Sequence, residues 1–289
     1  MSSDETTHDK PAGVSLPLGT PGEECPSCAA RLKGKFCHKC GEKKVKPKDF
    51  VLRRYVKQMF AHATHLDFKV LTTLWALLSK PGQLSAEFME GKRINRMKPL
   101  QLFLLLNLVF FFFFKTTDVF APQMKYVHQS KQPMLDGHLV REHLSTVQQT
   151  KQLGPEEAMV LMDEKIAQNA KVFLYLCVPV LALFLQLLYF RRYRYFLCQL
   201  IFATHWFAFF LVFFGLILPV FMFLFHLQGV RLLSTILILL IPYTYLALRR
   251  FYQENRWWTA AKTATFLLVF SITYLVYRSF ILWLSFVLV

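Results

Sequence analysis

The chain has 289 residues, 54% hydrophobic, 16% aromatic and 18% charged, with 30 Phe and only 11 Gly. Length alone would allow two soluble domains, but runs such as VFFFFF at 109–114 exceed what a soluble core hides, and that class is excluded. The formal charge of +16 is concentrated: 18 Lys/Arg face 10 Asp/Glu in 1–98, seven of each lie in 99–190, and nine face one in 191–289. Such clustering points to membrane topology rather than to a nucleic-acid surface.

Residues 1–22 begin MSSDETTHDK, carry scattered Pro, Gly, Ser and Thr, and read as a disordered tail without a signal-type apolar region. Residues 23–46 then hold CPSCAARLKGKFCHKCGEK, in which Cys25, Cys28, Cys37 and Cys40 follow the spacing C-x2-C-x8-C-x2-C. Each pair is a knuckle that converges two thiolates, and eight intervening residues suffice for a short hairpin, so the pattern predicts a zinc ribbon with structural Zn²⁺. Four thiolates leave a net charge of −2 around the metal, which Arg31, Lys33, Lys35, Lys39 and Lys43 offset. A closed four-Cys set has no open coordination position, so the site is structural rather than catalytic. Phe36, the only aromatic of the hairpin, is expected to form its mini-core, which leaves no stacking platform and disfavours nucleic acid as a partner.

Residues 47–98 read as cytoplasmic or interfacial helices. Asp49 is placed as the N-cap of a helix over 50–64, and DFKVLTTLWALLS predicts a second over 67–79, ended by Pro81-Gly82 and too short to span. Ser85 is expected to cap a short third turn that Gly91 stops. Lys92, Arg93, Arg96 and Lys98, in GKRINRMK, form a basic collar expected to contact lipid headgroups.

Residues 99–289 predict a transmembrane bundle of five helices, over 99–118, 171–190, 196–224, 230–248 and 263–289, with an outer loop at 119–170. Basic aromatic links at 191–195 and 249–258, with the collar, place the N-terminus in the cytoplasm and the C-terminus outside. Lys115 and Arg278 each fall about 25 Å along their helices from the preceding Lys98 or Lys262, near the outer rim. His205 lies deeper, in FATHWFAFF, and with Lys115 and Arg278 makes up a candidate intramembrane polar site. Pro179 and Pro242 sit near the middles of the second and fourth spans, where kinks would open a cavity. The outer loop is expected to hold helices over 136–150 and 155–170, the latter opened by Gly154-Pro155 and Glu156-Glu157. Among His128, His138 and His143 no two stand at the i, i+4 spacing of helical metal ligands, and with Glu142 they read as solvated surface.

The stretches CPSC…GKFCHKCGEK and DFKVLTTLWALLSKPGQLSAEFMEGKRINRMKPLQLFLLLNLVFFF resemble the bacterial membrane proteins grouped as domain of unknown function 3667, over about 25–114. The residues that match its pattern are the four cysteines, Pro81, Gly82, Gly91, Lys92, Arg93 and Pro99. The resemblance implies the cytoplasmic (inner) membrane of a bacterium and supplies no activity.

The sequence has no Gly-rich phosphate loop, nucleophile elbow or paired membrane carboxylate. An all-α, multi-pass, non-enzymatic protein is therefore expected, whose zinc-bearing head docks an unidentified protein partner or the surface of the lipid bilayer. The second reading is a transporter or a carrier of lipid or small solutes with a cavity near Pro179, Pro242 and His205. A membrane-embedded enzyme is the third.

Overall fold

A computed structural model describes residues 24–44, 69–113, 145–190, 195–226 and 229–288. The expected tail at 1–22, the helix over 50–64, Lys115 and the loop residues His128, His138, Glu142 and His143 lie outside them. The described secondary structure is helical, joined by turns and irregular segments such as the collar, apart from two isolated antiparallel bridges in the cysteine hairpin, Glu24 with Arg31 and Phe36 with Lys43.

The first two helices form a tight hairpin. Helix α1, Lys69–Ser79, ends where Lys80-Pro81-Gly82-Gln83 makes a turn closed by Gln83 N donating to Lys80 O at 3.1 Å. Pro81 presets its own φ and Gly82 takes φ 75°, the combination of a type II turn. A Cβ on Gly82 would stand 2.5 Å from the Ala247 carbonyl oxygen, so only glycine allows this turn to press against the bundle. Helix α2, Gln83–Glu90, stops at Gly91, whose φ of 91° lets Lys92 N reach back to Glu87 O at 2.9 Å. Ser85 is not a cap, contrary to expectation: α2 starts two residues earlier, and Ser85 points into the bundle.

Helix α3, Pro99–Phe113, has Pro99 at its first position, where a missing N–H costs nothing. Its 15 described residues extend about 22 Å, short of the ~30 Å hydrocarbon core. Helix α4, Pro155–Leu188, merges the expected outer helix and second span, bent by 43° between Ala170 and Leu174. It starts as expected, with Gly154 as N-cap, Pro155 behind it and Glu156 and Glu157 in the first turn.

Helix α5, Phe196–Val212, passes through a π-helical turn at Phe213–Ile217 into α6, Leu218–Phe225. Helices α7, Gly229–Tyr252, and α8, Arg256–Val287, complete the bundle. Phe196–Phe225, Arg231–Tyr252 and Arg256–Val287 are long and apolar enough to cross a membrane, and the bent α4 makes a fourth if counted as one span. The described helices thus account for three or four crossings where the sequence predicts five.

Helix α5 is the axis of the fold, packed by α3, α4, α7 and the hairpin, so that every residue of 197–212 except Leu200 is buried. Its aromatic residues make the contacts. Trp206 meets the edges of Phe266 and Phe270 on α8 at centroid distances of 4.9 and 4.8 Å, and Phe209 stacks on Tyr243 of α7 at 3.3 Å. Phe207 meets Phe103 of α3 edge-on at 5.9 Å. A helix apolar all round suits the centre of a bundle or a lipid surround, and here neighbouring helices enclose it.

Candidate metal centre and its docking site

The two knuckles fold alike. Cys25 N donates to Ala30 O and Ala29 N to Cys25 O, both at 2.8 Å; twelve residues on, Cys37 N donates to Glu42 O at 2.8 Å and Gly41 N to Cys37 O at 2.9 Å. The fifth residue of each knuckle is left-handed, with φ 56° at Ala29 and 76° at Gly41. Glycine takes that conformation freely, whereas Ala29 holds it at a cost.

The repeat brings all four sulfurs within 4.8 Å of one another, with Cys25 Sγ and Cys40 Sγ 3.5 Å apart and Cys28 Sγ and Cys37 Sγ also 3.5 Å apart. A disulfide needs about 2.05 Å. Tetrahedral coordination at a metal–sulfur distance of 2.3 Å sets sulfurs about 3.8 Å apart, so the donor set fits a metal ion. The electrostatics agree. Backbone N–H groups of Cys40 and Lys39 and the facing thiols hold Cys37 down at about 6. Cys40, although the Glu42 N–H favours its thiolate, is pushed up to about 12 by burial and the surrounding thiols. Cys37 ionises readily while Cys28 and Cys40 resist, until a cation neutralises the set together.

The metal set itself is the centre of the head. Cys25 and Cys37 are buried, whereas Phe36 is 60% exposed and does not form the expected mini-core. A hairpin of this size gains its order from coordination, which frees its aromatic residue for the surface.

The head docks onto its own chain through Glu42, a residue that sequence reasoning passed over. Its side chain is only 4% exposed, and Oε2 accepts from Ser27 Oγ at 2.7 Å, Arg93 N at 3.0 Å and Ile94 N at 2.9 Å. A buried carboxylate is costly unless its lone pairs are used, and here one oxygen takes three donors, two of them main-chain amides of the collar. The signal was present: Glu42 is the only acid between Cys25 and Lys48, in a stretch otherwise basic.

The collar residues divide. Arg93 Nε donates to Phe88 O at 3.3 Å and its guanidinium lies 4.1 Å from the Phe88 ring centroid. Arg96 Nε donates to Glu87 Oε2 at 3.1 Å and Nη1 to Thr72 O at 2.8 Å, while Lys92 Nζ pairs with Glu90 at 2.6 Å. Burial, then the charges of Arg93 and Lys43, push the Lys98 ammonium down from its ordinary value. Positive charge is crowded here.

The hairpin fixes this assembly to the bundle. Ser85 Oγ and His205 Nδ1 are 2.9 Å apart and buried, Tyr243 Oη donates to Leu77 O at 2.7 Å, and Arg250 Nη1 donates to Pro81 O at 2.9 Å. The free space beside His205 is about 10 Å³, room for one water at most. His205 is therefore a packing contact for Ser85. Arg278 is half-buried on α8. Other polar groups also join helices: Tyr175 Oη donates to Asn107 Oδ1 at 2.9 Å, and Tyr252 Oη to Gln199 Oε1. Asn107 Nδ2 and Gln199 Nε2 have no partner among the described residues.

Residues 67–111 match the family described as Protein of unknown function (DUF3667), which supports the resemblance across the hairpin, collar and α3 and not across the cysteine head. No curated protein and no solved structure matches the chain.

Proposed function

We propose that this is a non-enzymatic integral membrane protein of a bacterial inner membrane, whose cysteine head carries one structural Zn²⁺. The basic links support a cytoplasmic N-terminus and, with the five crossings expected from the sequence, a C-terminus outside. Bound zinc would be held by Cys25, Cys28, Cys37 and Cys40 and would supply charge neutralisation and tetrahedral order, with no reaction to perform. Glu42 then ties the ordered head to the collar, and the Ser85–His205 contact ties the collar's helix hairpin to the bundle. The head's exposed face, including Phe36, is thereby held at a fixed place beside the membrane to receive a protein partner.

The Glu42 contact carries this reading, because a buried carboxylate on collar amides marks a docked head rather than a tethered one. Crosslinking in native membranes tests it, with wild-type chain compared with Cys25→Ser at equal abundance. A specific crosslinked partner lost in the variant supports the proposal; the same partners in both would overturn it.

A further inference from the structure

The head, α1, α2 and the collar enclose a polar cleft of about 310 Å³, walled by Ser27, Thr72, Glu87, Lys92, Asn95 and Arg96. Arg96 is a preset donor there. Two of its five N–H groups are spent on Glu87 and Thr72, which fixes the guanidinium plane and leaves three for a ligand. Lys92 is the second cation. Its pair with Glu90 is well exposed, and exposed pairs exchange partners at little cost. Glu87 and Glu90 pair with Arg96 and Lys92, and across residues 69–98 six Lys/Arg face only these two acids, so the surroundings of the cleft are net positive.

The surface turns apolar at the rim. On α1, Trp75 stands one turn beyond the cleft residue Thr72 and Leu71 shares the face of Trp75 at i, i+4; the two are 71% and 70% exposed. A polar cleft in net positive surroundings, next to an exposed Trp and Leu, matches an amphiphile whose head is anionic and whose tail is apolar. A free phosphate would use the cleft and leave the apolar rim without a role.

We propose that this cleft binds the phosphodiester headgroup of an anionic phospholipid, with Arg96 and Lys92 on the phosphate oxygens, Asn95 on the headgroup hydroxyls and an acyl chain along Leu71 and Trp75. The proposal rests on the reading that the collar lies at the membrane surface. It assigns the collar residues different parts: Arg96 and Lys92 face the lipid, and Arg93 braces Phe88. Because Ser27 belongs to the first knuckle, the wall is complete only while the head is docked.

Native mass spectrometry of the full-length, metal-loaded, delipidated protein tests it, titrated separately with phosphatidylglycerol, phosphatidylcholine and inorganic phosphate. Saturable binding of phosphatidylglycerol is expected, weakened about fivefold by Lys92→Ala and less than twofold by Lys39→Ala, which removes the same charge elsewhere on the head. Equal loss in the two variants would overturn the site, and equal binding of phosphatidylcholine would overturn the anionic headgroup. Displacement of the lipid by inorganic phosphate at equal concentration would overturn the lipid as the source. The metal content of each variant is read in the same spectra. One metal per chain with no lipid bound overturns this inference and leaves the docked head standing.

Discussion

The cysteine head and the helix bundle obtain order by opposite means. In the head, the buried side chains that matter are Cys25, Cys37 and Glu42, and the aromatic residue faces out. In the bundle, α5 is wrapped by Phe and Trp contacts from its neighbours. A module of about twenty residues buries too little apolar surface to offset its chain entropy and relies on coordination and a few strong polar contacts. The bundle has apolar area to spare and uses polar groups only to fix which helix meets which. The two regions should therefore fail independently.

Metal removal gives the largest effect. Chelation, or Cys28→Ser, should take bound zinc from one per chain to near zero, with a loss on the order of 10 kcal/mol in the head. Helicity of the bundle by circular dichroism should stay unchanged. Acid should do the same to the head alone. Cys37 is held below its ordinary value, so its contribution is complete above that value and is lost as pH falls through about 6. A colorimetric metal-release titration should show zinc retained at neutral pH and freed on acidification, at a pH below that of the metal-free thiol because the bound cation competes with the proton.

The converse lesion is Trp206→Ala. It removes the edge contacts to Phe266 and Phe270 and the donor to Thr244 Oγ1, and should cost about 3–5 kcal/mol in thermal unfolding in detergent. Zinc content should remain at one per chain. A smaller effect is expected at the joint between the regions. Ser85→Ala deprives buried His205 of its partner and should cost about 1–3 kcal/mol, read as faster proteolysis of the α1–α2 hairpin with zinc still bound. Smallest is Ala29→Gly, which relieves a left-handed alanine and should strengthen the head by about 1 kcal/mol, measured as a rise in zinc affinity.

What the sequence showed depended on how local each signal was. The knuckle spacing, the Pro81-Gly82 stop and the Gly91 stop are written in a few consecutive residues, and the structure keeps all three. The long apolar stretches likewise give helices at Phe196–Phe225, Arg231–Tyr252 and Arg256–Val287. The last begins seven residues before the expected 263, because RWWTAAK offers no breaker and the helix runs on back to Asn255. No breaker separates 155–170 from 171–188, and the change in polarity that was read as a boundary falls where one continuous helix bends by 43°. Ser85 was read from its turn-like neighbours, whereas its partner His205 is 120 positions away. Phe36 was assigned to a core on hydrophobicity alone, and the cysteine cluster left it outside. Glu42 needed knowledge that two collar amides would face the head, which no local pattern conveys.

The central claim is that the metal-ordered head is docked on the collar through Glu42. Hydrogen exchange of the full-length protein over residues 91–97 tests it most directly, because the Arg93 and Ile94 amides donate to that carboxylate. Protection of this peptide should fall sharply on chelation and in Glu42→Ala, while α5 and α8 exchange as before. Unchanged protection at 91–97 in protein shown to be free of metal would contradict the account.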